Sequence, residues 1–455
     1  MKVTVIGAAG VRTPFMLQSF IARQERLGLD ELALMDVDGS RLQLMSALTA
    51  PIERASKLRF RITWTTDPGA ALAGATFVIT TFRIGGIAAR AVDERVALDF
   101  NVVGQETTGP GGYAMGLRTI PPLLVYVRIM QEVCPDAWLI NFANPAGMLA
   151  EAVLNHARGG WPRAVGICDT PGSVQRQAAA WLGAEADEVF HDYFGLNHLG
   201  WTRAIWHAGR DHLPELLAKF QGTLRGNVPS SCPPDLLPNE YLYFYYNHAE
   251  AVKNLKAASR TRGEQLAALN EQLWSDLERL WAQEDFEGMQ NLFQAYHHTR
   301  DETYFAAETG GRATHKPSRL DPAGLAAMAQ EGYSGVALNL MEALGGGTPR
   351  VMILNTTNRG AVAGMRAEDV VEIPCYVGKD LIRPLSVGAV PDHCLGLMKQ
   401  VKEFERLTIE AALQGSYAKA LQALALHPLT PDLNTAQAIL DEYIRRHGAL
   451  LPALT

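Results

Sequence analysis

At 455 residues, with 47% hydrophobic and 20% charged side chains, the chain has material for a large folded core, and its composition excludes long disorder and fibrous repeats. The formal net charge of -7 comes from interspersed acidic residues without a clustered Lys/Arg stripe. That balance argues against nucleic acid and anionic membranes as partners and leaves small molecules.

Five scattered cysteines, Cys134, Cys168, Cys232, Cys375 and Cys394, include no CxxC pair, so neither a disulfide framework nor a structural zinc knuckle is expected, and a cytoplasmic location fits best. Met1 to Gly10 lacks a signal-peptide apolar region of normal length. No later stretch approaches the roughly 18 to 20 apolar residues of a membrane span, so neither export nor membrane insertion is expected.

In chain order, Val3 to Ile6 is a β-branched run that stops at Gly7-Ala8-Ala9-Gly10, and from Pro14 the apolar spacing turns helical. Leu32 to Met35 is the next strand; it ends in Asp36-Val37-Asp38 and precedes a second helical stretch. Further strands are predicted at Phe77 to Thr81, Trp138 to Ile140 and Ala164 to Ile167, with Leu117 to Val133 the clearest intervening helix. This alternation predicts an α/β fold whose N-terminal Rossmann-type domain, residues 1–192, has a parallel sheet covered on both faces. The alternation stops after about Asp192. A second, mostly helical α+β lobe is predicted over 193–455, for substrate and metal binding and for assembly into a homodimer or homotetramer. Within it, Tyr193 to Trp206 reads as extended, Val351 to Asn355, Val370 to Ile373 and Cys375 to Val377 as strands, and Leu397 to Leu413 and Thr435 to Arg446 as helices.

Gly7 and Gly10 would let the backbone approach a pyrophosphate at the N-terminus of the Pro14 helix, and Asp36, closing the second strand, stands where it can accept from a ribose. The pair points to NAD in preference to its 2′-phosphorylated form; the alternative is a plain βαβ unit with an acidic turn. Arg83, after the Phe77 strand, emerges at the ligand-binding edge of such a sheet and suits an anionic group, a surface salt bridge being the other reading. Gly104 to Gly112 is a polar, glycine-dense segment read as a loop over cofactor or substrate. Asn141 and Asn144 follow the next strand, where they can hold sugar hydroxyls or a ribose, or Asn144 can cap the helix beginning near Pro145. Cys168 and His198 together can hold a divalent metal with substrate oxygens completing the shell; singly, each reads as a core residue.

Gly104-Gln-Glu-Thr-Thr-Gly-Pro-Gly-Gly, Asn144-Pro-Ala-Gly, Gly166-Ile-Cys-Asp-Thr-Pro, Gly195-Leu-Asn-His and Tyr241-Leu-Tyr-Phe-Tyr, in that order, resemble glycoside hydrolase family 4, and the likeness continues more loosely through 331–338 and Pro384 to Pro391. The resemblance implies NAD and a divalent metal, Mn²⁺ foremost, and glycoside cleavage in which the sugar's C3 hydroxyl is oxidised, the C2 proton removed, the aglycone eliminated, and water addition and re-reduction complete the cycle. On the matching motifs it implies Cys168 and His198 as metal ligands, Asp169 as the acid, Tyr241 as the base with Tyr245 in reserve, and Arg83 and Asn144 as substrate contacts. The Arg83 and Gln105 segments are most similar to the 6-phospho-β-glucosidase branch.

Three departures bear on substrate. Asp169 follows the cysteine where the β branch usually has Asn, and Thr170 stands where the α branch has Met. Val11-Arg12-Thr13 replaces a Ser/Thr-rich loop, and Arg300-Asp-Glu-Thr-Tyr-Phe replaces a glycine-rich arginine segment. A 6-phospho-α-glucosidase or a hydrolase of unphosphorylated glycosides therefore stays open within the family. Outside it, the alternatives are a lactate- or malate-type 2-hydroxyacid dehydrogenase and a non-catalytic NAD sensor.

Overall fold

The computed structural model describes residues 1–220, 235–310 and 333–455. Cys232, and Glu331 and Gly332 of one family-like motif, lie outside the described residues.

Six short strands build the first half: β1 (Lys2–Ile6), β2 (Glu31–Met35), β3 (Arg61–Thr65), β4 (Phe77–Thr80), β5 (Trp138–Asn141) and β6 (Ala164–Gly166). They lie side by side in the order β3-β2-β1-β4-β5-β6, all parallel, with Val5 opposite Leu34 and Ile79, and Ile79 opposite Ile140. This is the doubly wound order, in which the connections reverse direction between β1 and β4 and open a crevice at their carboxyl ends. Val3, Val5, Leu32, Leu34, Val78, Leu139 and Ile140 are almost wholly buried, as apolar strands covered on both faces must be. β3 was not predicted: its Arg-Ile-Thr-Trp-Thr is the half-exposed edge strand and lacks the continuous apolar run of its neighbours.

The second half contributes β7 (Phe190–Leu196), β8 (Leu199–His207), β9 (Arg210–Asp211) and β10 (Leu237–Pro238), an antiparallel sheet, and then β11 (Arg350–Thr357), β12 (Val370–Gly378) and β13 (Leu381–Pro384). The last three join the first sheet: β11 pairs antiparallel with β6 through Asn355 and Gly166, making nine strands in all. The two short strands predicted around Pro374 are therefore one strand, β12, and the main sheet draws on both sides of residue 192. Among the described residues no helix is long and apolar enough to cross a membrane.

Two helices form a wall beside the crevice. Arg262–Ala282 and Phe286–Glu302 pack Leu273, Leu277, Met289 and Phe293 against Leu44, Met45 and Leu48 of the helix Gly39–Ala55. The first starts at a capping box in which the Thr261 hydroxyl and Glu264 carboxylate each accept from the other's backbone N–H. Arg95 grips the same Glu264 with two bonds of 2.7 and 2.6 Å, which fastens this helix start to the helix Gly86–Asp99.

Candidate active site

The crevice is a cavity of about 490 Å³, and all nine predicted site residues line it: Gly7, Gly10, Asp36, Arg83, Asn144, Cys168, Asp169, His198 and Tyr241.

At one end is the turn after β1. Gly7 has φ +101°, and a Cβ there would stand 2.6 Å from the Phe82 backbone nitrogen, so only glycine fits between the ends of β1 and β4. The helix Thr13–Leu27 that follows has no side-chain cap, and its Ncap residue Arg12 lines the cavity. A guanidinium beside a glycine turn at the start of a helix suits a pyrophosphate. Asp36 closes the turn by accepting from the Ala9 N–H at 2.9 Å and the Asp38 N–H at 3.1 Å, with its carboxylate on the cavity wall. The turn is also tied to the helix Phe286–Glu302, because the buried His297 ring makes a 3.0 Å bond to the Val11 carbonyl. Burial holds His297 at about 3, so it is neutral.

Arg83 is not at the surface. It donates to Glu106 at 2.5 Å, and Glu106 also accepts from Arg90 at 2.7 Å. The two guanidiniums outweigh burial and hold the Glu106 carboxyl far below its usual range. Arg262 and Arg300 reach the same cavity, Arg262 held by the Arg300 carbonyl and the Thr303 hydroxyl. Burial, with Arg90 and Arg300 nearby, lowers Arg262 to about 10. Crowded cations of this kind suit an anionic ligand.

The segment 104–112 is only half a loop: a helix runs Gly109–Val133. Its glycines are needed because a Cβ at Gly111 or Gly112 would stand 2.3 Å from the Gln105 or Thr107 carbonyl oxygen, so the close backbone approach is to the segment itself. Gln105 turns its amide oxygen inward to accept from the Thr107 N–H and hydroxyl, both at 2.8 Å. With its proton committed to Gln105, the Thr107 oxygen accepts from Nδ1–H of His198. That leaves Nε2 of His198 as the unprotonated nitrogen, the form that ligates metals. Burial lowers His198 to about 4, so the ring is neutral.

Cys168 and Asp169 follow β6, Asp169 as the Ncap residue of the helix Thr170–Leu182, without a side-chain cap bond. Burial, with the Glu372 and Asp169 charges, pushes the Cys168 thiol well above its usual range. A neutral imidazole and a thiol that ionises only beside a cation fit a divalent metal ion. Among the described residues no three His, Cys, Asp or Glu side chains are grouped to hold a metal. Cys168 and His198 offer two such donors on one cavity wall.

Tyr241 lies flat on His198, ring centres 3.7 Å apart and planes 7° apart, and its hydroxyl meets that of Tyr304 at 2.9 Å. Burial pushes the Tyr241 phenol well above its usual range, and Tyr304 and Glu240 act in the same direction. Tyr245 is not a lining residue; its ring lies near His427, while Tyr243 is core and donates to the Glu308 carbonyl. Asn144 is a wall residue and not a helix cap, since the helix Ala146–His156 has Pro145 at Ncap. Asn141 is spent inside, accepting from Thr80 and donating to the Ala143 and Ala146 carbonyls.

Sequence reasoning missed Glu106, Arg262, Arg300, Tyr304 and Glu240 on this wall. Arg300 and Tyr304 fall in the very segment that departs from the family's glycine-rich pattern.

The family models described as family 4 glycosyl hydrolase and family 4 glycosyl hydrolase C-terminal domain match residues 2–184 and 193–430. Over 99% of this chain and 97% of the other, the sequence is 32% identical to a "Probable 6-phospho-beta-glucosidase" of Bacillus subtilis (strain 168). The fold is similar to that of the Thermotoga maritima 6-phospho-β-glucosidase solved with NAD and glucose-6-phosphate (TM-score 0.83, 27% identity, 100% of both chains). It is also similar to a 6-phospho-α-glucosidase from gut microorganisms in complex with NAD and Mn²⁺ (TM-score 0.80, 26% identity, 100% of this chain and 99% of the other). With both halves of the chain matched and one cavity holding the residues of its motifs, the chain belongs to glycoside hydrolase family 4.

Proposed function

We propose that this protein is an NAD- and divalent-metal-dependent glycosidase that cleaves 6-phospho-β-glucosides. The observation that carries the reading is one cavity in which a dinucleotide-type turn, a Cys168–His198 pair beside a buried tyrosine, and a cluster of arginines all converge.

Gly7, Gly10 and Arg12 receive the dinucleotide's pyrophosphate and Asp36 its ribose. Cys168 and His198 hold a divalent cation, Mn²⁺ by preference. When bound, the two groups supply reversible hydride acceptance at the sugar's C3 and polarisation of its C3 oxygen, which acidifies C2. Tyr241 removes the C2 proton; burial makes its phenolate costly, and a cation held by Cys168 and His198 would favour that phenolate near neutral pH. Asp169 protonates the departing glycosidic oxygen. Asn144 orients the sugar. Arg83, with Arg262 and Arg300, receives the 6-phosphate.

The branch assignment rests on the 32% identical relative and on the Thermotoga structure. Asp169, where the β branch has Asn, favours the α-glucosidase as the second reading. A homo-oligomer in the cytoplasm belongs to the same proposal and is checked by light scattering. The deciding experiment is a screen of aryl α- and β-glucosides, each with and without a 6-phosphate, with NAD, Mn²⁺ and a reducing agent in deuterated water. The expected result is turnover of the 6-phospho-β-glucoside, deuterium at C2 of the product and no accumulation of NADH. Full activity after verified removal of all dinucleotide, or equal rates for both sugars with and without phosphate, would overturn it.

A further inference from the structure

Glu372 stands in the middle of β12, 1% exposed, on a strand that belongs to none of the family-like motifs. Its carboxylate accepts three hydrogen bonds, from the Tyr193 hydroxyl at 2.9 Å, Asn355 Nδ2 at 2.9 Å and Asn197 Nδ2 at 3.2 Å. All three donors are uncharged. A buried carboxylate with no cationic hydrogen-bond partner is an expensive way to stabilise a fold, so the fold by itself does not explain it.

Two arms lead from it into the cavity. The first passes through Asn197, whose Oδ1 accepts the Ala146 N–H at 3.2 Å, just beyond Asn144 and Pro145. Asn197 and His198 are the two turn residues between β7 and β8, since Leu196 pairs with Leu199. His198 takes φ +62°, the left-handed conformation that disfavours a non-glycine residue and persists only where neighbours enforce it. The second arm runs through Tyr193, whose hydroxyl accepts from Asn239 Nδ2 at 3.2 Å; Asn239 Oδ1 in turn accepts the Tyr241 N–H at 3.1 Å. Tyr193 and Asn239 are both buried.

From this connectivity we propose that Glu372 is a positioning residue of the active site, setting His198 through Asn197 and Tyr241 through Tyr193 and Asn239. The inference rests on the roles proposed above for His198 and Tyr241. Glu372 touches neither. A carboxylate suits the task because it is acceptor-only and can satisfy all three donors, whereas an amide in its place would turn an N–H toward at least one of them.

The test uses the full-length, NAD-loaded protein. Mn²⁺ is titrated in, with the free ion read by electron paramagnetic resonance, and deuterium incorporation at C2 is followed with the aryl 6-phosphoglucoside. Glu372→Gln is expected to weaken Mn²⁺ binding by about 10- to 100-fold, the range seen when partners of metal ligands are lost. NAD affinity stays within about twofold, because the dinucleotide turn is on another wall. The arms separate: Asn197→Ala weakens Mn²⁺ binding, while Tyr193→Phe leaves it unchanged and lowers kcat and the C2 exchange rate without raising KM. Tyr193→Phe deletes one hydroxyl from a ring that stays in place, so it decides the matter even where Glu372→Gln fails to fold. Mn²⁺ affinity and C2 exchange both unchanged in Glu372→Gln, or kcat unchanged in Tyr193→Phe, overturn the positioning role. If the unmutated protein itself neither binds Mn²⁺ nor exchanges at C2, the functional reading fails first, and the two failures are told apart by that control.

Discussion

Replacing Arg83 by alanine separates a residue that binds substrate from one that only holds the fold. Arg83 is one of two guanidiniums on Glu106, and the other, Arg90, keeps its 2.7 Å bond when Arg83 is gone, so no carboxylate is left buried alone. The loss to the fold is then one hydrogen bond between charged groups, about 1.5–3 kcal/mol, beside a weak one to Met115 Sδ. For 455 residues unfolding with about 2.1 cal/mol/K each, that lowers Tm by about 2–3 °C, which leaves a folded protein to assay. If the same guanidinium also meets the 6-phosphate, its removal costs the complex about 2 kcal/mol more, roughly thirtyfold in KM for the phosphorylated glycoside. Steady-state kinetics on the glycoside with and without its phosphate reads the difference directly. KM should rise about thirtyfold for the phosphorylated sugar and little for its analogue, and Arg83→Lys should recover only part, since lysine lacks the planar fork. Equal loss on both sugars would refute the reasoning, reduce Arg83 to a partner of Glu106, and shift phosphate recognition to Arg262 and Arg300.

Cys168→Ser exchanges a soft thiolate for a poor ligand and should cost at least about a hundredfold in Mn²⁺ affinity; unchanged metal dependence and rate would remove Cys168 from the site. Tyr241→Phe should lose most turnover and C2 exchange while still binding NAD, and normal deuterium entry in that variant would place the base elsewhere. For His297, the folded value of about 3 lies below the usual 6.5, so between those limits the unfolded chain binds the extra proton and stability falls as pH falls, by about 1.4 kcal/mol per pH unit for this one group. His297→Gln, which keeps a donor for the Val11 carbonyl but cannot titrate, should flatten the urea-midpoint profile below pH 6.5 by that amount, and a profile parallel to the unmutated protein's would refute it.

Much of the architecture and several of the nine predicted wall residues were legible in the sequence because both depend on local signals, while Asp169 and Tyr241 came from the family resemblance alone. A buried parallel strand announces itself as a short apolar run, and Gly7, Asp36, Arg83, Asn144 and Cys168 each stand at or shortly after the end of such a run. The doubly wound topology then carries strand ends to one crevice, whichever side chains they hold. What no local pattern encodes is pairing across distance. Glu106 and Arg83 are 23 residues apart, Arg262 and Arg300 arrive from two helices of the other half, and Glu372 reaches Asn197 across 175 residues. The joining of β11 to β6 was equally out of reach, since an antiparallel strand added to a parallel sheet leaves no mark on either segment's composition. Even His198 illustrates the division. The sequence named it as a ligand candidate, but its left-handed turn, its protonated Nδ1 and its stacking on Tyr241 come from residues 107, 197 and 241, which only the tertiary fold brings to one place.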